Sequence, residues 1–183
     1  MYLVNLLVGL FELALMTVMS GIIIYLIYRV FIKANPDFDM EEEIRNGNSA
    51  VGVLVAAIMI SAALMLQKGL GASIGMFRLT ISSPTEMALP AWQVVLLMLG
   101  HLVLTLSVAV FTVSVALRIF GRMVRKLRPD LILGQQLKSG NMAVGILLSA
   151  VVFIATLYVG EGVSALTKAL VPQPKIGSIH IME

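Results

Sequence analysis

Glu43-Ile44-Arg45-Asn46-Gly47-Asn48-Ser49-Ala50-Val51-Gly52 recurs as Gln136-Leu137-Lys138-Ser139-Gly140-Asn141-Met142-Ala143-Val144-Gly145, 93 residues on and without a gap. The same offset joins Pro36-Asp37 to Pro129-Asp130, then continues through Leu54/Leu147, Ala57/Ala150, Ala62/Ala155, Leu64/Leu157 and Gly69/Gly162. Backward, it pairs Lys33 with Lys126 and Arg29 with Arg122. A constant offset that crosses both a polar link and the apolar runs beside it marks a duplicated unit. Each unit reads as an apolar run, a polar link ending in Gly-Asn, and a second apolar run.

Composition sets the class. Hydrophobic residues make up 59% of the chain and charged ones 13%, and mean hydropathy is +0.99. Soluble domains carry about 25% charged residues. The expectation is an all-α integral membrane protein. Its four transmembrane helices form two parallel two-helix repeats, with short interfacial helices before spans two and four. The first repeat covers 1–72, an external linker 73–93, the second repeat 94–170 and an external tail 171–183. Cysteine is absent, which excludes thiol catalysis, disulfides and thiolate metal sites.

Residues 2–28 are apolar apart from Asn5 and Glu12, longer than the roughly 20 needed to cross the hydrocarbon. The run has neither the basic start nor the small-residue cleavage site of a signal peptide. In the link that follows, Asp39 with Glu42 three residues on reads as a capping-box-like start after the break at Pro36. That predicts a short surface helix over Met40 to Arg45, interrupted at Asn46-Gly47-Asn48. The second span is expected at 48–66, and residues 70–91 as an external loop with Pro84 and Pro90. Trp92 opens the third span as an interfacial anchor, and the run reaches Phe120. A fourth span over 142–159 meets Gly160-Glu161-Gly162, with a weakly amphipathic piece at 163–170.

Basic residues give the orientation. The links after spans one and three hold Arg29, Lys33, Arg45, Arg118, Arg122, Arg125, Lys126, Arg128 and Lys138, against Lys68, Arg78, Lys168 and Lys175 opposite. The positive-inside rule puts both links in the cytoplasm and both termini outside. The pI near 9.4 is therefore topological and implies no nucleic acid. Arg118, Arg122, Arg125, Lys126 and Arg128 also offer contacts to anionic lipid head groups of the bilayer.

The acidic or polar helix followed by Gly-Asn and by Ala-Val-Gly opening a span, as in Glu43 to Gly52, resembles the YjfL-like family of bacterial inner-membrane proteins (domain of unknown function 350). The resemblance covers both copies, 1–72 and 94–165, and the second departs from the first with Gln135-Gln136 in place of Glu42-Glu43. It implies a small multi-pass protein of the plasma membrane, associated with envelope maintenance or membrane stress. It implies no reaction and no ligand.

Candidate site residues are few. Glu12, His101 and Thr105 lie within apolar runs, where ionisable groups are costly. His101 and Thr105, four apart, share a helix face. A Glu12–His101 contact across the bundle would bind a cation or pass a proton; the bland alternatives are an interfacial carboxylate and a lone helix-contact histidine. Lys68 and Glu161 are repeat equivalents of opposite charge, which either face each other at the outer end or snorkel separately. Asn48 and Asn141 suit helix caps. The small faces Gly47, Ala50, Gly52 and Gly140, Ala143, Gly145 suit close helix approach; alternatively the two helix starts line an entry for an anion.

No metal-ligand spacing, phosphate loop or nucleophile elbow occurs, so no metal, cofactor or enzymatic activity is expected. Two readings follow. One is a structural or interaction component, as a homo-oligomer or with a cytoplasmic protein partner. The other is a small oligomeric channel or transporter subunit with a Glu12/His101 polar site. The topology itself is testable. With Glu42→Cys, Gln136→Cys and Ser83→Cys made singly, an impermeant thiol reagent on intact cells should label only Ser83→Cys. Labelling at either link position would reverse the orientation.

Overall fold

The computed structural model describes residues 2–33, 39–82 and 90–170. Six α-helices account for nearly all of them. Helix α1 (Tyr2–Ile27) passes into a single π-helical stretch at Tyr28–Lys33, followed by α2 (Met40–Arg45), α3 (Ser49–Ser82), α4 (Ala91–Leu127), α5 (Leu133–Lys138) and α6 (Met142–Leu170). No strand occurs among the described residues. In lipid this is the expected outcome, because a helix satisfies its backbone polar groups within itself.

Among the described residues, three helices are long and apolar enough to cross a bilayer, over Ser49–Lys68, Leu99–Leu127 and Met142–Leu166; the apolar stretch described for α1 is Met16–Val30. Helix α3 is the centre. It packs most extensively on α6, then on α4, and α4 also meets α6, while among the long helices α1 leans chiefly on α3. Ala50, Val51, Leu54, Ile58, Ala62, Met65 and Leu66 form its buried stripe, at the three- and four-residue spacing of one helix face. Ala109 and Val113 of α4 and Val144, Leu148 and Val152 of α6 complete the core. Large apolar side chains cover the outside as well, with Leu13 and Val18 on α1, Phe111 on α4 and Tyr158 on α6 all more than half exposed. Such an apolar exterior suits a bilayer.

The helices overrun the expected spans. The external loop expected from Leu70 is not there at its start, because α3 continues to Ser82. The reason is the lack of a breaker: Pro84 is the first proline after the span, and glycines such as Gly71 weaken a helix by only about 1 kcal/mol. Helix α6 likewise crosses Gly160-Glu161-Gly162 without a break and ends at Leu170, before Pro172. Helix α4 continues past Phe120 to Leu127; Pro129 then restricts Arg128 and stops it. At 1.5 Å per residue, α3 and α4 are about 51 and 55 Å long, well beyond a hydrocarbon core of about 30 Å.

Of the two small-residue faces, one brings α3 and α6 together and the other does not. A Cβ built on Gly145 would sit 2.5 Å from the Ala50 carbonyl oxygen, whereas one on Gly52 meets nothing within 4 Å. Ala50 is fully buried and Ala143 exposed. The close approach expected at both small faces therefore occurs as Ala50 on Gly145, and its mirror, Gly52 on Ala143, is open. Gly47 and Gly140 serve a different need: their φ values are +78° and +80°, a region that costs other residues about 1–2 kcal/mol.

Gly145→Ala should destabilise the protein by about 1–3 kcal/mol, the usual cost of overpacking against backbone. Gly52→Ala should be neutral or stabilise by up to about 1 kcal/mol through helix propensity. Reversible unfolding in mixed micelles would measure both, and equal effects would contradict the one-sided contact.

Candidate functional site

The two Gly-Asn junctions are built by the same bonds. Backbone N–H groups of Asn46, Gly47, Asn48 and Gly52 donate to the carbonyls of Glu42, Ile44, Glu43 and Asn48; Ser139, Gly140, Asn141 and Gly145 donate to those of Gln135, Leu137, Gln136 and Asn141. Each Asn side chain caps the helix that follows. Asn48 Oδ1 accepts from Val51 N–H at 3.2 Å and Asn141 Oδ1 from Val144 N–H at 3.4 Å. Each also holds the preceding short helix, Asn48 Nδ2 donating to Glu43 Oε2 at 2.8 Å and Asn141 Nδ2 to Gln136 Oε1 at 2.9 Å. Capping satisfies N–H groups that a helix start leaves without partners.

Asn48 does more than Asn141. Its Nδ2 also reaches the carbonyls of Leu137 (3.1 Å) and Lys138 (3.2 Å) at the end of α5, so the junction α2–α3 is tied to α5. Asp39 caps α2, accepting from Glu42 N–H at 3.0 Å, while α5 has no side-chain cap.

Inside the bundle the buried polar side chains are Ser61, His101, Thr105, Thr112, Ser149 and Thr156. His101 Nδ1 lies 2.8 Å from the Leu97 carbonyl, one turn back, and Thr105 is buried one turn on. Ser149 donates to the Gly145 carbonyl at 2.8 Å. Among these side chains, Ser61 Oγ, His101 Nε2 and Thr156 Oγ1 are buried with no partner. Ser61 and Thr156 stand at one level. Ala50 and Gly145 touch where α3 and α6 start, and each hydroxyl lies about 16 Å further along its helix. The side chain of Glu12 lies outside the described residues, so its expected meeting with His101 has no structural counterpart here.

At the far end of α3, Lys68 Nζ pairs with Glu161 of α6. The lysine stem lies along Gly160, whose missing side chain leaves it room: a Cβ there would be 3.6 Å from Lys68 Cδ. At the opposite end, Arg118, Arg122, Arg125, Lys126 and Arg128 are all exposed. Only Arg128 of the five forms an ion pair among the described residues, with Asp130 at 3.1 Å. Its hydrogen bonds hold the Asp130 carboxyl below the ordinary value. No group of His, Asp and Glu that could hold a metal occurs among the described residues.

Ser61, Thr156 and the single Ala50–Gly145 contact went unread in the sequence. A lone hydroxyl flanked by alanine, as in Ser61-Ala62-Ala63 and Ala155-Thr156, was the available signal.

These features define a class, an all-helical protein with several bilayer-length apolar helices and charged helical links at one end. Within that class, the chain belongs to the family described as Domain of Unknown Function (DUF350), which matches it over residues 5–163. No curated protein and no solved structure matches the chain.

Removing the two caps should not be equivalent. Asn141→Ala should cost about 1 kcal/mol, as ordinary caps do. Asn48→Ala should cost about 2–3 kcal/mol, because carbonyls of α5 lose a donor as well. Equal losses in mixed-micelle unfolding would show that the bonds to α5 contribute nothing.

Proposed function

We propose that the protein is a multi-pass inner-membrane component with four spans, α1 among them, organised as two parallel two-helix units from a duplication. Its role on this reading is structural. It holds a rigid charged platform at the cytoplasmic face, on which a protein partner of an envelope-maintenance or membrane-stress system docks. The observation that carries this is Asn48, which bonds to both units and so fixes α2 and α5 as one body. On that body Glu41, Ile44 and Arg45 stand exposed, three and four residues apart on one face of α2. An exposed isoleucine between opposite charges is a docking pattern in miniature. The identical junction bonds 93 residues apart support the duplication, and the 26 residues of α1, with Glu12 their one charge, support a fourth span.

A photo-crosslinking residue at Ile44 should give one defined adduct in intact cells. The adduct should disappear on Asn48→Ala while the protein stays in the membrane. An adduct indifferent to Asn48→Ala, or none at all, would end the platform reading.

A second reading, a small channel or transporter subunit, is supported by the unpartnered Ser61 Oγ, His101 Nε2 and Thr156 Oγ1, since buried polar atoms in a bilayer are normally satisfied. Proteoliposome flux tests it. A pH-dependent flux abolished by Glu12→Gln would establish a proton or cation path through the Glu12/His101 site. Flux absent from the wild type would leave Glu12→Gln with a mild structural effect only.

A further inference from the structure

The end of the bundle that bears the links is hollow. A cavity of about 670 Å³ opens between α2, α5 and the ends of α3, α4 and α6. A second of about 270 Å³ shares with it the wall of Leu117, Gly121, Ile132, Leu133 and Gly134. The first alone falls within the roughly 300–1,000 Å³ of small-molecule sites. Its floor is apolar, made by Leu54, Leu117, Leu137 and Leu148. Leu54 and Leu148 lie five and six residues into α3 and α6, about 8–9 Å below the helix starts. The floor is therefore at the height of the first acyl carbons, and the rim at the height of the head groups.

The rim has two signs of charge. On the α4 side stand Arg118, Arg122 and Arg125, at the spacing of one helix face. None of the three has an ion-pair partner among the described residues. On the α2 side stand Asp39, Glu42 and Glu43, with Lys138 at the end of α5 as the one basic group lining this cavity. Taken as one groove, the two adjoining cavities have an apolar floor, guanidinium groups along the smaller and carboxylates along the larger, an arrangement complementary to a lipid whose head group carries both charges.

We propose that this groove binds one phospholipid with a primary-amine head group. The phosphate is held by Arg118, Arg122 and Arg125, through the charge-assisted bonds in which guanidinium excels. The ammonium donates to Asp39 and Glu42, and an acyl chain lies on the leucine floor beside Gly121. A quaternary choline cannot donate those bonds, and an anionic glycerol head group meets carboxylates with no cation to offer. The proposal is independent of the docking platform, which uses the other face of α2.

The test is native mass spectrometry of the full chain, exchanged into detergent containing equal amounts of phosphatidylethanolamine, phosphatidylcholine and phosphatidylglycerol. One phosphatidylethanolamine per chain should be retained, at least about fivefold over either competitor. Glu42→Gln, at an exposed position, should erase the preference over phosphatidylglycerol. Joint Arg118→Gln and Arg122→Gln should lower retention of all three. Gly121→Phe should block binding with both charged edges intact, since a side chain there enters open space. Thermal unfolding of each variant confirms that it is folded. Equal retention of the three lipids, preference for phosphatidylglycerol, or full retention by Gly121→Phe would each overturn the assignment.

Discussion

The carboxamide of Asn48 is the joint on which the polar end of the protein depends. A helix that begins at a membrane edge exposes N–H groups to a region where water is scarce. Asn48 meets that need for α3 and, with its amide protons, grips both the preceding α2 and the end of α5. A single side chain thereby fixes the positions of two short helices that would be marginal alone at six residues each. Gly47 makes this possible by turning the chain through positive φ. The geometry of the groove below follows from where α2 and α5 are held.

Helix α3 carries the same logic into the bilayer. Association in lipid gains little from hydrophobic burial and depends on close packing, so the helix with the most small residues becomes the centre. Ala50, Ala57 and Ala62 are all nearly fully buried, and 56% of its span is covered by neighbours, against 28% for α4 and 33% for α6. At the other end the Lys68–Glu161 pair closes α3 against α6. Both partners retain access to solvent, so the pair orients the two helices more than it stabilises them.

The sequence exposed the elements whose physics is local. Asp39 before Met40–Arg45, the Gly-Asn turns and the prolines that end helices were legible because caps, positive φ and missing N–H groups leave fixed residue types. What escaped was set by packing. That α3 runs on through Leu70 to Ser82 depends on nothing breaking it. That Gly145 rather than Gly52 takes the close contact depends on how α6 is displaced along α3, and no residue type records a displacement. Ser61 and Thr156 look like ordinary hydroxyls in an apolar run until burial shows that they are alone. His101 and Thr105 were visible by chemistry, and their shared burial on α4 came only with the fold.

The π-helical stretch at Tyr28–Lys33 has a consequence for how α1 and α4 compare. Its counterpart by number, 121–126, lies within regular α-helix on α4. Since π geometry turns less per residue, six residues of it lag the α-helix by on the order of a quarter turn or slightly more. The two helices are thus geared out of phase with one another. Residues 93 apart on α1 and α4 therefore differ in compass bearing around the helix axis. Two stretches of equal length thus present different sides of themselves to the helices between them.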